Sequence, residues 1–116
     1  MTTHDTGRRC EDLACAYLVR KGFLVLARNY RSGRYEIDLV MRDGAATVFV
    51  EVKARASTVH GRPAEFVTAA KRRRLILAAQ AYLAENGLYD QPARFDVIEI
   101  YLPACRLVHI ENAFGA

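Results

Sequence analysis

Polar and apolar side chains alternate along residues 35–53, and segments with helical spacing of apolar residues stand on either side. Tyr35, Ile37, Leu39 and Met41 alternate with Glu36 and Asp38. Val48, Val50 and Val52 alternate with Phe49, Glu51 and Lys53. A period of two is that of a strand, so each run has one apolar face and one face that carries charge. Upstream, Cys10, Leu13, Ala14, Tyr17 and Leu18 fall at i, i+3, i+4, i+7 and i+8, the stripe of an amphipathic helix over about Thr6–Lys21 that Gly22 ends. Phe23 to Tyr30 follows as a strand with Phe23, Val25 and Ala27 on one side, and Arg31-Ser32-Gly33 is a turn. Residues 54–64 read as a polar loop around Gly61-Arg62-Pro63. Thr68 is a candidate N-cap for a second helix that runs to Asn86 and stops at Gly87. Leu75, Ala78, Ala79, Tyr82 and Leu83 form its apolar stripe. Arg94–Leu102 and Arg106–Ile110, separated by Pro103, close the chain as two strands.

The order is helix, three strands, helix, two strands. Consecutive strands favour an antiparallel meander, and the second helix is long enough to cross over to a parallel strand. The expected class is α/β, with a mixed four- to five-stranded sheet flanked by helices. The 116 residues suffice for a single domain, residues 1–116, with one core.

Composition narrows the picture modestly. Hydrophobic residues make up 52% and charged residues 26%, ordinary for a soluble globular domain. No apolar run approaches the roughly 20 residues that span a bilayer, so no membrane partner is expected. The start Met1-Thr2-Thr3-His4-Asp5 lacks the pattern of a secretory signal. Cys10, Cys15 and Cys105 have no metal-type spacing and read as reduced thiols of a cytoplasmic protein. With His4, His60 and His109 scattered, zinc is not expected. The net charge of +4, from 17 Lys and Arg against 13 Asp and Glu, suits a polyanion but also suits many other cytosolic proteins.

The charged strands change that picture. Asp43-Gly44 is a hairpin signal. A two-residue turn there pairs Glu36 with Glu51 and Asp38 with Phe49, placing Glu36, Asp38, Glu51 and Lys53 on one side of the sheet. A three-residue turn would split them. Clustered like charges destabilise a ladder, and a bound divalent cation removes that penalty. Phosphodiester hydrolysis needs an activated water and a neutralised, charge-rich transition state, and Mg2+ or Mn2+ held by oxygen ligands meets both needs. Asp38 and Glu51 are the candidate carboxylate ligands, and the Val52 carbonyl is a further one. Lys53 faces the same way as Glu51 and can orient or deprotonate the water. Glu36 is an accessory candidate. The bland alternative is that Glu-x-Lys only decorates the solvated face of a strand.

Glu11, at the border of the first helix's apolar stripe, is a candidate third carboxylate for the metal. It also suits the helix dipole without any such role. Lys71 falls within the apolar arc of the second helix, where it can snorkel outward or meet a phosphate or the carboxylate cluster. With Arg55, Arg62, Arg72 and Arg74 it forms a candidate basic rim for nucleic acid. Tyr17 and Tyr82 read as core.

The residues Glu11, Glu36-Ile37-Asp38-Leu39-Val40, Phe49-Val50-Glu51-Val52-Lys53-Ala54-Arg55, Lys71-Arg72-Arg73 and Arg94-Phe95-Asp96-Val97 together resemble the YraN family of uncharacterised bacterial proteins. The likeness runs from about Gly7 to Phe114. That family is similar to archaeal Holliday-junction resolvases and to PD-(D/E)xK nucleases. The resemblance implies a restriction-endonuclease-like core, with Asp38, Glu51 and Lys53 at the superfamily's catalytic positions and Glu11 as its helix-borne acid. Tyr35 and Cys10 stand where the family usually has glycine.

The expectation is therefore a metal-dependent DNA endonuclease, acting on branched or structured DNA and using Mg2+ or Mn2+. The alternative is a nucleic-acid-binding or scaffolding protein that keeps the fold without turnover. A two-fold homodimer is expected because a duplex or junction has two strands to cut. Tyr35, Val59 and Leu88-Tyr89 are its candidate contacts.

Overall fold

The computed structural model describes residues 3–56 and 67–115. Its elements are α1 (Thr3–Arg20), β1 (Leu24–Ser32), β2 (Tyr35–Asp43), β3 (Ala46–Ala56), α2 (Ala69–Glu85), β4 (Ala93–Leu102) and β5 (Arg106–Phe114). The five strands form one sheet in chain order. β1, β2 and β3 are an antiparallel meander, β3 and β4 run parallel, and β4 and β5 are antiparallel. This is the α/β arrangement and the element order expected above, with five strands.

Both helices end for the same reason. After α1, the Gly22 amide donates to the Val19 carbonyl and the Phe23 amide to that of Leu18, with Gly22 at φ 100°. After α2, Gly87 (φ 64°) and Leu88 repeat the pattern on Ala84 and Leu83. These are Schellman turns, in which a left-handed glycine lets two orphan carbonyls find donors. In each, the apolar residue after the glycine folds back onto the core: Phe23 is in the same cluster as Leu18, and Leu88 and Leu83 pack against the other.

The sheet is covered on both sides. Cys10, Ala14 and Leu18 of α1 pack with Leu39, Met41, Val48, Val50, Ile98 and Ile100. Leu75, Ala78, Ala79 and Tyr82 of α2 pack with Val40, Phe49, Phe95, Val97 and Ile37. Some strand expectations need correction. Leu13 and Val25, assigned to buried stripes, are exposed. The ladder shifts between Val25 and Ala27, which breaks the simple alternation in β1. Strand β5 runs four residues beyond Ile110, to Phe114, whose ring stacks on Phe95 at 4.7 Å. Among the described residues no helix is long and apolar enough to cross a membrane.

The β2–β3 turn also differs. Asp43 pairs with Ala46, so the two turn residues are Gly44 and Ala45, not Asp43 and Gly44. Gly44, at φ 60°, takes the first of them without steric cost. The ladder then pairs Leu39 with Val50, and its next step sets Asp38 beside Glu51, where the sequence reading had set Glu36. The shift is one residue on each strand, so the faces are preserved.

Candidate metal centre

The carboxyl groups of Asp38 and Glu51 lie close enough on neighbouring strands for each to feel the other's charge. The Val52 amide donates to Asp38 Oδ2 at 2.8 Å, which fixes the Asp38 side chain against β3. Burial first, and the Glu51 charge second, push the Asp38 carboxyl up to about 7; the Val52 amide and Lys71 pull the other way. Glu51 is buried, with Lys71 Nζ 3.6 Å from its Oε1.

Lys71 gets there because of a cap. The Thr68 hydroxyl accepts the Lys71 amide at 3.2 Å, starting α2 at Ala69 and placing Lys71 in its first turn on the sheet side. The alternatives left open for Lys71 thus resolve toward the carboxylates. Lys53 keeps the side of Glu51, since Val52 between them packs toward the α1 cluster. Its ladder partner on β4 is Glu99. Among the described residues Lys53 makes no ion pair, leaving its amine available to a ligand.

Glu36 is not in this group. Leu39 lies in the α1 cluster, yet Ile37, two residues away, lies in the α2 cluster. On β1, Arg28 reaches Asp12 of α1 at 2.7 Å, while the Tyr30 ring meets Tyr82 of α2. Arg28 pairs with Leu39 and Tyr30 with Ile37, so both strands change sides at the same ladder step. Asn29 stands at that step with φ 51°, a left-handed conformation that breaks the pleat. Glu36 is carried to the α1 side, where it pairs with Arg31 at 2.9 Å. The expected grouping of four charges on one face is therefore corrected to Asp38, Glu51 and Lys53.

Glu11 stands near this step on α1. Burial and the Asp38 charge raise its pKa, while Asn29 and Arg28 lower it. Its Oε1 is 4.0 Å from Arg28. Among the described residues, no three His, Cys, Asp or Glu side chains gather closely enough to enclose a metal ion. The two-carboxylate pair is the nucleus of the site, and Glu11 flanks it.

The basic rim divides. Arg55 Nε donates to the buried Glu99 at 3.1 Å, and Tyr101 donates to the other Glu99 oxygen at 3.2 Å. Arg55 is thus bound into a buried ion pair rather than presented whole to solvent. Arg72 is half-buried and Arg74 exposed at the start of α2; Arg62 and Val59 lie outside the described residues. Tyr35 and Leu88 pack partly against the core, and among the described residues of the expected dimer contacts only Tyr89 is strongly exposed.

Two buried groups escaped the sequence reading as participants in charge networks. Asp96 accepts Arg94 at 3.0 Å, His109 Nε2 at 2.8 Å and the Asn112 amide at 2.9 Å. Glu99 anchors Arg55 as described. Both interrupt an otherwise apolar strand, Phe95-Asp96-Val97-Ile98-Glu99-Ile100, and a charge inside such a run is the signal that finds them.

Residues 10–100 match the profile of the Uncharacterised protein family UPF0102. A UPF0102 protein of Desulforapulum autotrophicum is 46% identical over 110 residues, covering 93% of this chain and 91% of that protein. One of Geobacter sulfurreducens is 47% identical over 111 residues, covering 93% and 87%. One of Oleidesulfovibrio alaskensis is 46% identical over 92 residues, 79% of this chain and 46% of that longer protein. With this fold and this span of similarity, the chain belongs to the UPF0102, or YraN, family.

Proposed function

We propose that this protein is a DNA endonuclease that hydrolyses phosphodiester bonds with Mg2+ or Mn2+, taking branched or structured DNA and working in the cytoplasm as a two-fold dimer. The observation that carries the reading is the Asp38–Glu51 pair. Two acids held on adjacent strands, one of them buried, repel each other unless they share a proton or a cation. The donor set suits a hard cation of the Mg2+ class, which keeps several waters and is bound by one or two carboxylates plus substrate phosphate. A third protein carboxylate is not required for that geometry. Such an ion, when bound, polarises the phosphate and lowers the pKa of a water.

In this reading Asp38, held by the Val52 amide, and Glu51 are the ligands, with the Val52 carbonyl and Glu11 as further candidates. Lys53, on the face of Glu51, orients the attacking water. Lys71, beside Glu51, holds the scissile phosphate. The first turn of α2 contains no acidic residue, and Lys71-Arg72-Arg73-Arg74 spans its first two turns. Cations at a helix N-terminus are unfavourable by roughly 0.3–1 kcal/mol each, and an anion laid across Lys71, Arg72 and Arg74 offsets that cost. Arg55 and Arg62 complete the proposed phosphate contacts.

The lack of a third acid close to the pair, among the described residues, favours one alternative: a nucleic-acid-binding protein that keeps the fold without turnover. Purified protein incubated with Mn2+ on linear duplex, single-stranded and four-way-junction DNA separates the two. Cleavage that disappears in Asp38→Ala and Lys53→Ala supports the nuclease. DNA binding with no cleavage of any substrate supports the alternative. Cleavage that survives both substitutions overturns the assignment of the site.

A further inference from the structure

A cavity of about 460 Å³ opens between α1 and the β1–β2 hairpin, lined by Gly7, Arg8, Glu11, Asn29, Arg31 and Glu36. It adjoins the candidate metal centre. Asn29 is bracketed on the ladder opposite Asp38, between the pairs Arg28–Leu39 and Tyr30–Ile37, and Asp38 and Glu11 feel each other's charge. From the cavity's position and its two arginines we infer that it receives the DNA strand next to the scissile phosphate, with Arg8 and Arg31 holding phosphates from opposite walls. This rests on the nuclease reading and adds a contact surface on the α1 side, opposite the basic run of α2.

Three observations support the placement. The walls carry one cation each, Arg8 from the helix and Arg31 from the strand. Among the described residues Arg8 has no ion-pair partner, and Arg31 is largely exposed, its partner being Glu36 at 2.9 Å. The volume lies in the roughly 300–1,000 Å³ range of small-ligand clefts, enough for a nucleotide. The third observation is Gly7. Glycine inside a helix costs about 1 kcal/mol relative to alanine. Here neither a left-handed φ nor packing calls for it, since an added Cβ would meet nothing within 4 Å. What the missing side chain does provide is bare helix backbone on the cavity wall, to which a sugar-phosphate strand can come close.

Glu36 then has a defined part. It masks Arg31 in the free protein, and a phosphate competes with it for the guanidinium. Glu11 also lines this cavity, where it feels the Asp38 charge and stands 4.0 Å from Arg28.

The test is anisotropy of a fluorescein-labelled single-stranded oligonucleotide and of a labelled four-way junction, in EDTA so that nothing is cut, across a salt series. Arg8→Ala and Arg31→Ala are each expected to weaken binding roughly tenfold and to reduce the salt slope by about 1. Glu36→Gln is expected to tighten binding. Gly7→Leu, which fills the cavity without changing charge, is expected to weaken it while the Tm stays equal or rises. If the wild type binds DNA and these four variants bind with unchanged affinity and slope, the inference is overturned while the nuclease reading stands. If the wild type binds neither DNA, both fall together.

Discussion

Asp38 and Glu51 lie side by side on neighbouring strands, each carboxyl feeling the other's charge, with the Lys71 amine 3.6 Å from Glu51. Burial and the mutual repulsion of the two acids disfavour ionising both, a cost that Lys71 offsets only in part. With the Asp38 pKa raised to about 7, the pair holds a proton below neutrality, and in the proposed reading a divalent cation takes that proton's place.

Stability of the metal-free protein should therefore fall as pH rises through neutrality. The folded-state pKa of Asp38 is raised from 3.8 to about 7, so the folded chain holds this proton more tightly than the unfolded one. Its contribution is complete below the unfolded value and is lost as pH passes the folded value. For this half-buried group the loss is on the order of 2 kcal/mol after allowing for solvent screening. Thermal melts in EDTA from pH 5 to pH 8 should show a decline of several degrees, which Asp38→Asn should flatten. A Tm that rises over this range in the wild type would contradict it.

The same repulsion predicts that removing a ligand stabilises the apoprotein. Asp38→Asn keeps an oxygen for the Val52 amide, and Glu51→Gln keeps the volume. At pH 8 each should raise the Tm by a few degrees while abolishing any metal-dependent activity. Lys71→Met should lower the Tm, by about 1–2 kcal/mol of stability, because buried Glu51 loses its counter-charge. Circular-dichroism melts of the three variants beside the wild type check all of this.

Asp96 is predicted to behave in the opposite sense. Although burial alone would raise its pKa, hydrogen bonds from His109, Arg94 and the Asn112 amide hold it below the usual carboxylate range. Its contribution is present above the unfolded pKa and is lost as pH falls through the lower, folded one. Asp96→Ala should cost roughly 3–5 kcal/mol, since it strands Arg94 and His109, and should leave divalent-metal binding intact if the chain still folds. The milder Asp96→Asn permits the binding measurement if Asp96→Ala does not fold.

Much of the fold was legible because period and punctuation agree. The apolar stripe of α2, its Thr68 cap and its Gly87 stop all point to one helix, and that helix forms. Three features of the site were not legible for physical reasons. The turn moved by one residue because a left-handed glycine serves either turn position, so Asp43-Gly44 does not by itself fix the register. The side change at Asn29 depends on one backbone conformation that alternation cannot reveal, and it separated Glu36 from Asp38. Arg55 was read as a phosphate contact because its partner, Glu99, is 44 residues away in sequence and hidden in an apolar strand.

The central claim, that Asp38 and Glu51 together hold a divalent cation, is tested most directly by counting bound Mn2+. Electron paramagnetic resonance at pH 8, with an uncleavable phosphorothioate junction present to supply phosphate ligands, measures free and bound Mn2+ without requiring turnover. The account predicts saturable Mn2+ binding by the wild-type complex that Asp38→Asn and Glu51→Gln each abolish. The same binding in the wild type and in both variants would contradict it.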